Sequence, residues 1–215
     1  MIEAIDDIDI RVIDVSPEPY ALSPTLIART QLTLPDGAGA HAVALRAQVR
    51  IEPTRRPYTD AEAAGLVDLF GLRERWSATQ RAFLWMHSTT MVPGFTGDTV
   101  ADLPLPCTYD FEVSASKYLH ALADGAIPLL FLFSGTVFVK GTPGLTVQQI
   151  PWDREARFEL PVRVWRDLMA MCHPGTGWLR LRGETISALT DYKSAHGLLD
   201  YDEAVTALLS AAVAR

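Results

Sequence analysis

The chain has 215 residues, 48% of them apolar or aromatic and 21% charged, with a formal net charge of −7. That is globular composition with enough apolar material for a core, and the acidic balance argues against a general nucleic-acid binder. Two isolated cysteines, Cys107 and Cys172, exclude a disulfide-dense secreted scaffold and read as free thiols in a reducing compartment.

The first residues, Met1 to Asp7, are acidic and lack the basic and apolar regions of a secretory signal. The longest apolar stretch, Ile127 to Val139, is interrupted by Pro128, Ser134, Gly135 and Thr136. It falls short of the about 20 residues a membrane helix needs, so it reads as a buried central strand. A cytoplasmic chain with no membrane insertion is expected.

In chain order, Ile8, Ile10 and Val12 alternate with polar residues before Ile13 and Val15 switch phase, which predicts a strand with a bulge near Val12. Thr25 to Leu34 predicts a second strand, with Leu26, Ala28, Thr30, Leu32 and Leu34 on one face. After the turn residues Pro35, Asp36, Gly37 and Gly39, strict alternation from His41 to Ile51 predicts a half-buried strand. The two strands are expected to form an antiparallel hairpin.

Thr59-Asp60-Ala61-Glu62 is a capping box that opens a helix running to about Phe70, and Gly71 suits its end. Helical turns follow near Ser77 to Arg81. Phe83 to Val92 is read as a strand that places Phe83, Trp85, His87, Thr89 and Met91 on one face. Pro93-Gly94 and Gly97-Asp98 predict a loop. Thr108 to Val113 is expected as a short strand, then a helix ending at Gly125.

Beyond the apolar strand, Leu145 to Ile150 should return as a hairpin, and Arg157 to Leu160 should add a strand. Pro161 opens a helix in which Val164, Trp165, Leu168, Met169 and Cys172 recur at helical spacing. Trp178 to Leu181 reads as extended. Helices over 184–195 and from the Asp200/Glu203 capping pair complete the chain; Ala204, Val205, Leu208, Leu209 and Ala212 line the last one. Strands first and helices last predict an α+β fold: an antiparallel sheet or partial β-sandwich with helices packed on one side and C-terminal helices, in one domain over 1–215.

Motifs for common chemistries do not occur: no GxxxxGK(S/T) phosphate loop, no GxGxxG after a strand, no GxSxG elbow, no HExxH and no CxxC. Cys172 and His173 are adjacent on a helix and point about 100° apart, a poor nucleophile–base geometry. His41, His87, His120, His173 and His196 share no ligand spacing, so no metal, cofactor or catalytic residue is assigned. Asp110 and Glu112 share a strand face that reads as solvated.

The candidate partner contacts are Arg46, Arg50, Arg55 and Arg56, clustered on the wet side and end of one strand and suited to an acidic partner. Phe95 joins them, set between two glycines in an expected exposed turn, together with Trp152.

Several stretches carry a resemblance: VSPEPYALSPTL, HAVALRAQVRIEPTRRPY, FLWMHSTTMVPGFTG, LPLPCTYDFEVSASKYLHALADGAIPLLFLFSGTVF and IPWDREARFELPVRVWRDLM. Through them nearly the whole chain resembles a bacterial family, mainly actinobacterial, that has no assigned activity. Members are often encoded near nickel–iron hydrogenase genes, which implies an accessory, protein-binding role in the assembly or stability of such an enzyme, with a hydrogenase subunit as partner. The layout from the N-terminal strands to LPVRVWRDLMAMCHPGTGWLRLRGETISALTDYK is also similar to SecB-type export chaperones, with residues 53–125 as an insertion. That likeness implies a holdase that forms oligomers. A small cysteine- or histidine-dependent enzyme is the third expectation.

Overall fold

The computed structural model describes residues 7–107, 113–141, 144–176 and 181–213. The expected strand over 108–113 and the extended stretch from Trp178 fall on residues outside these ranges. The fold is α+β, with two antiparallel sheets and C-terminal helices. The chain divides into two compact units, Met1–Gly175 and Thr176–Arg215.

In the first unit one sheet contains β1 (Asp9–Pro17), β2 (Thr25–Thr33) and β5 (Asp98–Pro106), in the order β1-β2-β5. The second contains β3 (Gly39–Ile51), β4 (Phe83–Thr96), β6 (Ala126–Gly141), β7 (Gly144–Gln149) and β8 (Glu155–Pro161). Its order is β4-β3-β6, with β7 and β8 pairing successive halves of β6. The inward residues of both sheets form one core, including Leu26, Leu32, Leu103 and Leu105 from the first and Val43, Val49, Phe131 and Val137 from the second. Period-two alternation produces this: each strand buries every other side chain.

Three readings of the sequence are corrected by pairing. β2 and β3 form no hairpin: β2 pairs with β1 and β5, and β3 with β4 and β6, so 34–39 is an arch between sheets. Both strands bury one face in the shared core, which an arch allows and a flat hairpin does not. Residues 93–98 are no open loop either. β4 runs on to Thr96, turns at Gly97 with φ +69°, and β5 follows in the other sheet. Finally, residues 53–125, expected as an insertion, supply β4 and β5 to the two sheets.

The expected bulge in β1 is present, where the register slips between Val12 and Asp14. A second bulge lies in β4. Val49 pairs with Met86 and Arg50 with Leu84, so Trp85 is the extra residue, and both Trp85 and Met86 are buried. One extra residue reverses the faces beyond it. His87, Thr89 and Met91 therefore point to solvent, while Ser88 and Val92 point inward. His41 is likewise exposed, where the phase of β3 changes between Ala40 and Val43.

Helices α1 (Asp60–Gly65), α2 (Val67–Phe70), α3 (Trp76–Thr79) and α4 (Val113–Ala121) come from the segments that flank β4 and β5. The capping box of α1 is complete: Glu62 N–H donates to Thr59 Oγ1, and Thr59 N–H to the Glu62 carboxylate. α5 (Val162–Cys172) packs on β1, β2 and β8; of the expected stripe Trp165 and Leu168 are buried and Val164, Met169 and Cys172 partly so, with Val162 buried besides.

The second unit holds α6 (Gly183–Ala195) and α7 (Tyr201–Val213). Thr190 and Tyr201 share a hydrogen bond of 2.9 Å between them, and Glu203 N–H donates to Asp200 Oδ1 at the start of α7. Of the apolar stripe on α7, Ala204 is buried, while Leu208 and Leu209 are exposed.

Candidate functional site

The outward face of the second sheet is built in cross-strand rows. Met91, Ala44, Thr136 and Gln149 form one row across β4, β3, β6 and β7. Thr89, Arg46 and Ser134 form the next. Strands lie about 4.8 Å apart, so the four-residue row spans about 14 Å. Its centre carries small side chains, Ala44 and Ser134 beside Gly135, while Met91, Arg46 and Gln149 rise around them. Small residues among larger ones leave a depression of about 560 Å³.

Gly135 is what lets the floor lie this low. Its φ is +146°, and a methyl group there would be driven into the Ala44 carbonyl oxygen. Glycine alone adopts this conformation readily. The lining includes the hydroxyl residues Thr89, Thr90, Ser134 and Thr136, one amide, one thioether and one guanidinium. Gln149 Nε2 donates to Thr136 Oγ1 at 3.3 Å. Arg46 is exposed and has no hydrogen bond or ion pair among the described residues. A guanidinium with its five donors free is suited to a carboxylate.

The four arginines of the sequence cluster separate into different roles. Arg46 stands on the rim of the depression. Arg50 is half-buried and donates from Nη2 to the Ala82 carbonyl at 3.2 Å, while its Nε has no partner among the described residues. Arg55 is exposed beside Glu52 at 3.6 Å, and Glu52 also holds Arg157 at 3.1 Å.

Arg56 leaves the wet face altogether, its side chain 8% exposed and paired at 2.8 Å with Glu62, which is 3% exposed. Its guanidinium also donates to the Asp124 and Ala126 carbonyls. Phe95 lies in β4, half-buried against the core, instead of in an exposed turn. Trp152 is 92% exposed between β7 and β8.

Arg56 belongs to a buried polar cluster that the sequence reading did not assemble. Its guanidinium lies 5.0 Å from the Tyr58 ring centre. Tyr58 Oη donates to the Pro53 carbonyl at 2.7 Å and lies 2.8 Å from Tyr118 Oη. Trp76, Phe70 and Phe83 enclose the pair edge to face. Burial pushes the Tyr58 phenol up to about 12 against the bonds that lower it, and also raises Tyr118. Burial would raise Glu62 as well, but the Thr59 and Ala123 N–H groups and Arg56 together hold its carboxyl below the usual range. The cluster anchors α1 and α4 to the sheets, a structural use of polar groups. The Arg56 to Glu62 spacing around the capping box was the available signal.

Burial pushes the Cys107 thiol up to about 12, and nearby Cys172 adds to the rise, so Cys107 is protonated at neutral pH and a poor nucleophile. His120 packs edge-on against Trp165 at 4.8 Å, and burial lowers its pKa. Among the described residues no three His, Cys, Asp or Glu side chains converge on a metal position. No described helix is long and apolar enough to cross a membrane. Asp110 and Glu112 lie outside the described residues.

No curated protein matches the chain. Among solved structures, a β-glucosidase from Kluyveromyces marxianus is similar over 71% of this chain with 7% identity and a TM-score of 0.20. The match spans 14% of the length of that enzyme, and it carries no argument about fold or activity. The family comparison is of another order: residues 5–215 match the model of DUF6084, described as a family of unknown function, and the chain belongs to that family.

Proposed function

We propose that this chain is a protein-binding accessory factor that catalyses no reaction itself, and that the depression on the second sheet receives an acidic extended segment of its partner. The observation that carries the reading is Arg46: a guanidinium without a partner among the described residues, on a β scaffold, ringed by hydroxyls and Met91. Backbone-paired strands hold such a constellation more firmly than loops do. The chain's net charge of −7 makes a free cation at a concave position a selective landmark for a carboxylate. Following the resemblance to proteins encoded beside nickel–iron hydrogenase genes, the partner we propose is a hydrogenase subunit, met in the cytoplasm during assembly.

The test is affinity purification of the tagged protein from its native host, with wild type, Arg46→Glu and, as control, Arg163→Glu on the exposed side of α5. One partner should appear in near-equal amount with wild type and control. Reversing the charge at Arg46 should weaken its binding about 10- to 100-fold, the worth of a charge-assisted hydrogen bond. Equal recovery with Arg46→Glu refutes the site. A broad spread of unfolded clients refutes a dedicated partner and favours the SecB-like holdase.

A further inference from the structure

Among the described residues β7 pairs with β6 alone, so its other side is a sheet edge there. The phase of its backbone follows from one bond: Ile150 N–H donates to the Gly135 carbonyl at 3.0 Å. In an antiparallel ladder, residues alternate between bonding inward and outward. Gln148, Thr146 and Gly144 therefore bond β6, while Leu145, Val147 and Gln149 turn their N–H and C=O groups away from the sheet. The side chains of Leu145 and Val147 are 55% and 58% exposed.

Free edges are usually blunted by charge, proline or a bulge. β1, at the edge of the first sheet, has all the marks of this, with Asp9, Arg11 and Asp14 and the bulge at Ile13. β7 has none: its sequence is GLTVQQ and its register is unbroken.

We propose that this edge is closed by β7 of a second copy of the chain, paired antiparallel about a two-fold axis at Val147. The sequence is self-complementary in that register. Val147 faces Val147 of the other copy, and Leu145 faces Gln149, with no charge opposite a like charge. Three outward residues per copy, each with a donor and an acceptor, supply about six interchain hydrogen bonds.

The register also limits itself. The next outward position is Pro151, which has no N–H, and at the other end β7 begins at Gly144, which pairs with Gly141. The pairing therefore closes as an isologous dimer and does not extend into a fibre. The dimer places the two depressions on one continuous face, since Gln149 belongs both to β7 and to the depression.

The experiment is sedimentation velocity on the full chain from about 1 to about 200 µM, a range that brackets a small interface. Wild type should shift from monomer to dimer. Val147→Lys and Val147→Glu should each remain monomeric, because each places like charges face to face, and an equimolar mixture of the two should dimerise. Val147→Pro should also abolish the dimer while keeping the fold, since it removes only an outward N–H. Circular dichroism checks that each variant is folded, and the exposed side chain makes the charge variants tolerant ones. A wild type that stays monomeric throughout, or dimers that persist in folded Val147→Lys and Val147→Pro, would overturn the proposal.

Discussion

Replacing Glu62 by alanine tests whether the buried cluster holds the first unit together. The carboxylate accepts four hydrogen bonds: from Arg56 Nη2 at 2.8 Å, Thr59 N at 2.9 Å, Ala123 N at 2.9 Å and Thr59 Oγ1 at 3.3 Å. Deleting it strands a guanidinium that is 8% exposed and two backbone donors. Breaking one side of a buried ion pair costs about 3–5 kcal/mol, and we expect about 4 kcal/mol in a urea titration followed by tryptophan fluorescence. Arg56→Met/Glu62→Leu should cost less than the sum of the single changes, because no uncompensated charge remains.

The same residue sets an acid limb. The folded pKa of Glu62 lies below its ordinary 4.5, so its stabilisation is fully present above that value and is lost as pH falls through the folded pKa. The stability difference between wild type and Glu62→Gln should therefore be constant near neutrality and shrink below about pH 4.5. A loss under about 1 kcal/mol for Glu62→Ala, or a difference that does not change in acid, would refute the reasoning.

Two further outcomes concern the same unit. Gly135→Ala combines an unfavourable φ with a clash against a backbone carbonyl, and should destabilise by about 3 kcal/mol or more in the same titration. Tyr58→Phe removes the bonds to Pro53 and Tyr118 and should cost about 1–2 kcal/mol. In wild type the phenol, raised to about 12, stabilises fully below its unfolded pKa of 10 and loses that contribution as pH rises towards 12. Spectrophotometric titration of the phenolate band should show an ionisation near 12 that is missing from Tyr58→Phe.

What was legible in the sequence was local. Alternation located β2 and β3, a continuous apolar run located β6, the capping box located α1, and helical spacing located part of the buried face of α5. Apart from the β6–β7 hairpin, pairing partners were not legible, because they depend on residues far along the chain. β5 was hidden by Pro104 and Pro106, which look like breakers. Cys107 N–H bonds the Pro24 carbonyl at 2.7 Å, and Leu105 and Leu103 follow in phase. The proline nitrogens therefore face outward from an edge strand, where no ladder bond is lost. The bulge at Trp85 moved His87, Thr89 and Met91 from the expected core face to the outward one. Of the candidate site, Arg46 was legible from alternation alone. Its companions Thr89, Met91, Ser134, Thr136 and Gln149 come from three other strands, and only the register brings them together.

The arch between β2 and β3 and the turn between β4 and β5 are tied where Leu34 N–H donates to the Gly97 carbonyl at 2.7 Å. Two of the three covalent crossovers between the sheets are thus fastened at one end of the strands. The third crossover, from β5 through α4 to β6, reaches the opposite end near Ile51 and Phe83, where the aromatic cluster and the Arg56–Glu62 pair add side-chain ties. Protonating the Glu62 carboxylate weakens the side-chain ties at that end and leaves the Leu34–Gly97 bond untouched. Acid should therefore loosen the protein directionally, with amide exchange accelerating first around Tyr58 and Tyr118 while the amides beside Leu34 and Gly97 stay protected until global unfolding.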